Sequence, residues 1–277
     1  MRLDRRDFLA ATAAALTAMR AAADPLGLPI GCQTWPVRES LNKDFDGTLK
    51  MLATSGFKTI EMCSPPGYAN SGFGNLTGMK APEMRSRIES AGLRCESCHY
   101  QFKELKENLD ERIAFAKELG LKQMVLSSFG LPRDASMSDY MKAATGLNEV
   151  AEKAQPAGML IGYHNHDNEF KEIDRALIYD ALMREFDARL VKMQFQTSVV
   201  SLGYQAATYF RKYPGRYISI HLSDWSPTEK KTVPIGKGVI NWKDLFAAAK
   251  TAGVRNYFVE MDLDLMQASI PYLHSLT

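Results

Sequence analysis

Histidine and acidic residues collect where apolar segments of this chain end. His164 and His166 follow the apolar run 159–163, and two carboxylates come directly after them. Three further apolar runs end in the same way, at His99, His221 and Glu260. Of the five histidines, only His274 lies elsewhere. Imidazole and carboxylate groups bind divalent ions and transfer protons. The pattern therefore predicts a metal or proton-transfer site at the ends of several strands.

Regularly placed glycines divide the chain into alternating helices and strands. A helical segment ends in glycine, and a new apolar run follows, at Gly56, Gly92, Gly120, Gly158 and Gly253. Glycine is preferred just after a helix, where φ is positive. Strands are predicted to start near Pro29, Phe57, Leu93, Lys122, Met159, Leu190, Tyr217 and Asn256. Alternating strands and helices indicate a parallel sheet.

Eight strand–helix units predict an α/β fold with one domain, a single (β/α)8 TIM barrel with a parallel eight-stranded barrel over residues 24–277. Removal of the first 23 residues from 277 leaves 254, close to the ~250 of one barrel. The clearest helix is predicted over 103–119, with one apolar face formed by Leu105, Leu109, Ile113 and Ala116. An open doubly wound sheet is the alternative, but no Gly-x-Gly-x-x-Gly follows the first strand. Segment 63–79, rich in Gly, Pro, Ser and Asn, is predicted to be a long loop on the catalytic side.

The first 23 residues have the layout of an export signal. Arg2, Arg5 and Arg6 precede a short apolar segment, and Ala21–Ala23 supply small residues for cleavage. The paired arginines resemble the twin-arginine type, which predicts a periplasmic protein. An amphipathic N-terminal helix or anchor is the alternative interpretation.

Composition excludes several classes of protein. The formal net charge of +2 does not favour a nucleic-acid partner, and no apolar stretch reaches the ~20 residues that span a membrane. The four cysteines, Cys32, Cys63, Cys95 and Cys98, are predicted to be small buried residues. A metal-binding Cys95/Cys98 pair is the alternative, without a second such pair to support it.

Six segments together resemble the xylose isomerase-like barrels known as sugar phosphate isomerases/epimerases, and the resemblance covers nearly all of residues 24–277. The segments are Gln33–Arg38, Tyr163–Phe170, Lys212–Arg216, His221–Asp224, Gly236–Trp242 and Phe258–Asp262. The resemblance implies one divalent metal (Mn, Co, Zn or Mg) held by ligands at four strand ends. Carried over, these ligands are His164, Gln196, His221 and Glu260. His164 replaces a Glu and Gln196 replaces an Asp, which implies weaker metal binding.

The resemblance also implies a reaction, with Glu260 and His164 as the catalytic pair. It implies a sugar isomerase or epimerase that abstracts a proton next to the carbonyl of a small-molecule sugar or keto-sugar. A 3-keto-glycoside lyase or hydrolase is one alternative. A non-catalytic sugar-binding barrel, motivated by Gln196, is another. A DNA-repair endonuclease on this fold needs more histidine and acidic ligands than the chain offers. A homodimer is compatible with all these readings.

Further residues are expected to contact substrate: Glu61, His99, His166, Trp35 and Trp225. The alternative role for Glu61 is a structural salt bridge. The alternative for His166 is a position behind the ligands, and the alternative for each tryptophan is ordinary packing in its loop. Asp224 is expected to support His221. Glu169 is expected either to orient a ligand or to cap the following helix.

Overall fold

A computed structural model describes residues 24–276, which form a closed parallel barrel. Its strands, in chain order, are β1 (Gly31–Gln33), β2 (Thr59–Cys63), β3 (Arg94–Gln101), β4 (Gln123–Ser128), β5 (Leu160–His164), β8 (Val191–Gln196), β9 (Tyr217–Leu222) and β12 (Asn256–Val259). Gly31 of β1 pairs with Phe258 on one side and with Thr59 on the other, which closes the barrel. Each predicted strand start lies within two residues of the observed one. The predicted fold class is confirmed.

Helices surround the barrel. They are α1 (Arg38–Lys43), α2 (Phe45–Thr54), α3 (Ala81–Ser90), α4 (Phe102–Glu107), α5 (Leu109–Leu119), α6 (Met137–Ala154), α7 (Ile178–Glu185), α8 (Ala206–Lys212), α9 (Trp242–Ala252) and α10 (Leu263–His274). All five predicted glycine stops have positive φ. The helix predicted over 103–119 is wrong as one element, because Asn108 adopts φ −130° and separates α4 from α5. The four residues of its predicted apolar face are nevertheless all buried.

Two short antiparallel ribbons extend the loops at the carboxyl end of the barrel. The first pairs β6 (Glu172–Ile173) with β7 (Ala176–Leu177), after β5. The second pairs β10 (Asp224–Ser226) with β11 (Lys231–Val233), after β9. The predicted loop after β2 contains two short 3-10 turns, Ala69–Ser71 and Gly74–Leu76. These loops wall the mouth of the barrel.

The barrel interior is polar, whereas the layer between strands and helices is apolar. Near the base, Gln123 and Asn256 exchange side-chain hydrogen bonds of 3.4 and 3.2 Å, and Gln123 also donates to Ser97. Buried polar groups need such partners, because each unpaired one costs free energy. Since side chains alternate along a strand, the next inward position after Ser97 toward the carboxyl end of β3 is His99.

All four cysteines are free and buried, as predicted. Among residues 24–276, no helix is both long and apolar enough to cross a membrane. The predicted export signal, residues 1–23, lies outside the described residues.

Candidate active site

Strand ends bring three histidines together inside the mouth of the barrel. His99 lies near the carboxyl end of β3, His164 is the last residue of β5, and His221 lies near the carboxyl end of β9. One nitrogen of each ring lies within 4.8 Å of the corresponding nitrogens of the other two. The rings of His99 and His221 are nearly parallel, with centroids 5.1 Å apart. Since metal–nitrogen bonds are ~2.0–2.1 Å long, two nitrogens on one ion lie at most ~4.2 Å apart, so a small shift of the rings would bring the three onto one ion.

A cavity of about 200 Å³ opens above these rings. It is lined by Trp35, Cys63, Tyr68, His99, Ser127, Ser128, His164, His166 and Glu260. Trp35 packs against Tyr68 and Phe73, with ring centroids 5.8 and 6.4 Å apart. The cavity therefore combines an aromatic wall with acid–base groups, an arrangement suited to a small polar ligand.

Glu260 follows β12 and is held by two donors on one oxygen. Its Oε2 accepts a 2.6 Å bond from Gln196 Nε2 and lies 2.9 Å from His221 Nδ1. Among the described residues, its Oε1 has no hydrogen-bond partner, and the side chain remains 19% exposed. Burial would raise the pKa of Glu260, but the charge and hydrogen bond of His221 outweigh it and lower the pKa. Glu260 is thus a carboxylate with one oxygen available to a ligand.

His221 lies between two carboxylates. Its Nε2 is 2.5 Å from Glu61 Oε2, and its Nδ1 faces Glu260. Burial alone would lower the pKa of His221, but Glu260 and Glu61 together raise it to about 9. A ligating histidine commonly gives its second N–H to a carboxylate, which fixes the orientation of the ring. Glu61 stands in that position relative to His221.

His164 has a nitrogen with nothing to bind. Its Nδ1 is buried and has no hydrogen-bond partner among the described residues. Burial and the neighbouring rings of His221, His166 and His99 lower the pKa of His164 well below its usual value. A neutral imidazole with an unused buried lone pair is suited to a metal ligand, because an unpaired polar atom at such depth is otherwise costly.

The next histidine, His166, is fixed by backbone hydrogen bonds to Glu169. The Glu169 carboxylate accepts the His166 backbone N–H at 2.7 Å, and the Glu169 N–H donates to the His166 carbonyl oxygen at 3.3 Å. Burial lowers the pKa of His166. The other Glu169 oxygen accepts a hydrogen bond from the Tyr163 hydroxyl. Both oxygens of Glu169 are thus bonded within the protein, which agrees with the expected role as a cap.

These donors fit a divalent ion, although not in the set that the sequence implied. Residues able to hold the ion are His164, His221, His99 and Glu260. Gln196 is beside Glu260, but it presents its amide nitrogen, while its oxygen lies 3.4 Å from the Ser198 N–H. Since a carboxylate can only accept, Gln196 orients Glu260 in this arrangement and would have to turn over to become a ligand.

Three further expectations need correction. Glu61 is fully buried below the cavity, with both oxygens bonded by protein donors, so the structure favours its alternative role in an internal ionic contact, with His99 and His221. Trp225 lies on the β10–β11 ribbon and is not part of the cavity lining. Asp224 does not touch His221, whose nitrogens already face carboxylates. It instead accepts the backbone N–H groups of Gly236 and Gly238, among others, and organises the loop before α9. Trp35, His99 and His166 do line the cavity.

Some cavity residues escaped the sequence analysis. Tyr68 lies in the loop that was predicted on the catalytic side, but nothing in its surroundings marked it. Its hydroxyl is 2.5 Å from Ser127 Oγ, which in turn donates to the Tyr100 carbonyl. Ser127 and Ser128 end β4. Their position at a strand end was the only available indication, and serine is common in such places.

Comparison with known proteins finds a dehydratase and a sugar phosphate isomerase/epimerase among the proteins similar to this chain. An inosose dehydratase from Geobacillus thermodenitrificans (strain NG80-2) is 25% identical over 256 residues, covering 76% of this chain and 84% of that protein. The crystal structure of a sugar phosphate isomerase/epimerase from Parabacteroides distasonis ATCC 8503 superposes with a TM-score of 0.76 at 24% identity, over 90% of this chain and 94% of that one. A probable 3-DHS dehydratase from Bacillus anthracis superposes with a TM-score of 0.68 at 12% identity, over 89% and 98%.

The solved structures establish similarity of fold. Together with the dehydratase relative, they confirm the expectation of an enzyme related to the sugar isomerases. The family model for xylose isomerase-like TIM barrels matches residues 49–265, which is most of the chain. The chain therefore belongs to the xylose isomerase-like TIM barrel family.

Proposed function

We propose that the protein is a metal-dependent sugar isomerase or epimerase that abstracts a proton from the carbon next to the carbonyl of a sugar or keto-sugar. The observation that carries this proposal is Glu260, whose Oε1 is uncommitted at the cavity while Oε2 is held by Gln196 and His221. An oriented carboxylate with one free oxygen has the geometry of a general base. The 200 Å³ cavity suits a small sugar.

The metal would be bound by His164 and His221, with His99 or Glu260 completing the set. A bound divalent ion would polarise the substrate carbonyl and stabilise negative charge on its oxygen. The unpaired Nδ1 of His164 supports this assignment. Glu260 would serve as base only if Oε1 stays free of the ion.

His166 supplies the complementary group. It lines the cavity together with Glu260, and one of its ring nitrogens carries a proton in either tautomer. It can donate to the substrate oxygen that gains charge when Glu260 removes the proton. His164, predicted as the second catalytic residue, is better suited to metal binding, since its buried Nδ1 has no hydrogen-bond partner among the described residues. Trp35 would stack on the apolar face of the sugar.

A second candidate function is elimination, as in a dehydratase or a 3-keto-glycoside lyase. Two observations favour it: the inosose dehydratase relative, and the chemical inequality of Glu260 and His166. An epimerase needs a base and an acid that exchange roles on opposite faces of the substrate, whereas an elimination needs one base and one group that assists departure. The first half-reaction, proton abstraction by Glu260, is common to both functions.

The two functions can be separated in deuterated water. Purified protein with Mn²⁺ is incubated with ketoses, inososes and 3-keto-glycosides, and the products are followed by NMR and mass spectrometry. Deuterium at the carbon next to the carbonyl with rearranged sugar indicates isomerisation, whereas loss of water or of the aglycone indicates elimination. Glu260→Gln should lower either rate about 10²–10⁴-fold, while Glu118→Gln, an exposed control on α5, should not. Wild-type protein that exchanges no deuterium with any substrate contradicts the proposal.

We also propose that residues 1–23 direct export to the periplasm. The paired Arg5 and Arg6 followed by an apolar segment motivate this. Cell fractionation of the full chain and of an Arg5→Lys/Arg6→Lys double variant tests it. Equal distribution of both proteins between cytoplasm and periplasm would refute it.

A further inference from the structure

A register shift in β4 brings two consecutive serines to the cavity. Tyr100 of β3 pairs with Leu126, but the next residue, Gln101, pairs with Ser128, so Ser127 has no partner on β3. Such an extra residue is a β-bulge, which often redirects side chains beside an active site. Neighbouring side chains on a regular strand point to opposite faces, whereas Ser127 and Ser128 both line the cavity. The bulge therefore lets both side chains of this strand end line the ligand space.

The Ser127 hydroxyl reaches two other oxygens. Its Oγ lies 3.3 Å from the Tyr100 carbonyl oxygen and 2.5 Å from the Tyr68 hydroxyl. A carbonyl oxygen only accepts, so the single serine proton goes to Tyr100. The Tyr68 proton then points at Ser127 Oγ, since two hydroxyl oxygens at this distance share one proton between them. Burial raises the pKa of Tyr68, which keeps that proton in place.

Both protons are thus committed, and the Tyr68–Ser127 pair presents only oxygen lone pairs to the cavity. Ring contacts with Trp35 and Phe73, at centroid distances of 5.8 and 6.3 Å, hold Tyr68 in this place. A ligand group that binds here has to donate a proton, as a sugar hydroxyl does. A carboxylate or a fully ionised phosphate only accepts, so its oxygens find no donor on this wall.

No cationic side chain offsets this preference. Among the described residues, the cavity lining contains no lysine or arginine. The guanidinium of Arg38, three residues after Trp35, stacks on the Trp35 ring at 4.4 Å from its centroid and donates to the Trp35 carbonyl at 2.9 Å. The carboxylate of Glu260 adds a negative charge to the lining. The side chains of the cavity therefore suit an uncharged ligand.

The Tyr68–Ser127 pair lies across the barrel from Glu260. In the order of strands around the barrel, β4 and β12 are four positions apart in either direction. Ser127 lies at the carboxyl end of β4 and Glu260 follows β12, so the two residues stand on opposite walls of the mouth. A sugar whose carbonyl lies beside Glu260 would meet the pair with a hydroxyl on a more distant carbon.

We infer that Tyr68 and Ser127 are specificity residues that accept a hydrogen bond from a hydroxyl of an uncharged polyhydroxy substrate, at a carbon remote from the one that Glu260 deprotonates. The same wall discriminates against sugar phosphates and sugar acids. The inference rests on the proposed function for the position of the carbonyl. Recognition of the hydroxyl is measurable as binding, without turnover.

Binding of deoxy sugars tests the pair directly. Dissociation constants for D-fructose and inosose, and for their monodeoxy analogues, are measured by calorimetry in excess Mn²⁺. In wild type, loss of one particular hydroxyl should weaken binding about tenfold or more, because the lone pairs of the pair then lack a donor. The deoxyfluoro analogue at that carbon should bind as weakly as the deoxy analogue, since fluorine does not donate. A deoxyfluoro analogue that binds as tightly as the parent sugar would overturn the inference.

Two variants separate the pair from the rest of the cavity. Tyr68→Phe keeps the ring contacts and removes the hydroxyl, so parent and deoxy analogue should bind within about twofold of each other. Ser127→Ala removes the acceptor of the Tyr68 proton, which can then turn to the cavity, so the deoxyfluoro analogue should bind more tightly than the deoxy analogue. Tyr140→Phe, the same change at a buried tyrosine outside the cavity lining, should reproduce wild type. If Tyr68→Phe keeps the full loss on deoxygenation, the inference is overturned.

A charged analogue tests the preference for an uncharged ligand. D-fructose 6-phosphate should bind at least about tenfold more weakly than D-fructose, because the described cavity lining holds a carboxylate and no cationic side chain. Equal or tighter binding of the phosphate would overturn the exclusion of anions.

Binding and turnover can fail separately. If the sugars bind with this pattern but exchange no deuterium, the proposed function fails and the inference stands. If they exchange deuterium and Tyr68→Phe leaves the discrimination unchanged, the inference fails and the proposed function stands. If neither parent sugar binds to wild type, the inference fails.

Discussion

Replacement of Gln196 by Glu is the sharpest test of the electrostatic environment of Glu260 at the carboxyl end of the barrel. The change is nearly isosteric and puts an oxygen where the amide nitrogen now donates 2.6 Å to Glu260. Two carboxylates about 4 Å apart at an effective dielectric constant of ~20 repel by about 4 kcal/mol. The folded variant avoids this by holding one shared proton, as close carboxylate pairs do. The folded-state pKa of the pair is therefore raised above the unfolded value of ~4.3.

The raised pKa determines the sign of the pH dependence. The folded variant binds more protons than the unfolded one above about pH 4.3, so its stability falls by about 1.4 kcal/mol per pH unit. The fall should stop near pH 7, where about 4 kcal/mol is lost relative to wild type. Urea denaturation in EDTA from pH 4 to 8 measures this difference. Excess Mn²⁺ should remove it, because the new carboxylate then becomes a ligand.

Gln155→Glu provides the control, since Gln155 is exposed and the same change there should leave stability nearly constant with pH. A Gln196→Glu protein whose stability in EDTA matches wild type from pH 4 to 8 would refute the placement of Gln196 against Glu260. So would a variant that Mn²⁺ stabilises no more than it stabilises wild type.

Three other outcomes follow from the structure. In metal-free wild type, the pKa of His221 is about 9 in the folded state and ~6.5 in the unfolded state. Its contribution of about 3 kcal/mol to the free energy of unfolding is complete below pH 6.5 and lost by about pH 9. Denaturation at several pH values, with a His221→Ala control, should detect this loss. Trp242→Phe removes the 2.9 Å bond from Nε1 to Asp224 and should lower the free energy of unfolding by about 1.5–3 kcal/mol; an unchanged urea midpoint would contradict the role of Asp224 in its loop. Phe195→Ala empties a fully buried site and should cost about 3–5 kcal/mol with little change in m-value; a loss under 1 kcal/mol would argue against close packing there.

The elements of the barrel were predictable because they depend on local rules. The glycine that follows five of the helices is favoured there because φ is positive, and apolar runs mark buried strands regardless of what they contact. The break at Asn108 was missed, since an amphipathic pattern continues across it. A pattern of burial does not reveal whether every backbone residue between its positions is helical.

The site was predictable only in part. Strand-end positions identified His99, His164, His221 and Glu260, because the carboxyl ends of parallel strands meet at one face. The roles within that group required distances. Glu61 resembled a sugar contact in the sequence, and only the closed barrel revealed that five donors surround it beneath the cavity.

The sequence by itself determined a parallel (β/α)8 barrel with imidazole and carboxylate groups at one end. Strand periodicity and the glycines that end helices are properties of short segments, so they can be recognised without knowing which elements pack beside them. Tertiary structure alone decided which atom each group presents: Gln196 its nitrogen to Glu260, and Gln194 its oxygen to His99. Those choices depend on the partners facing each side chain across the barrel, up to 133 residues away in sequence.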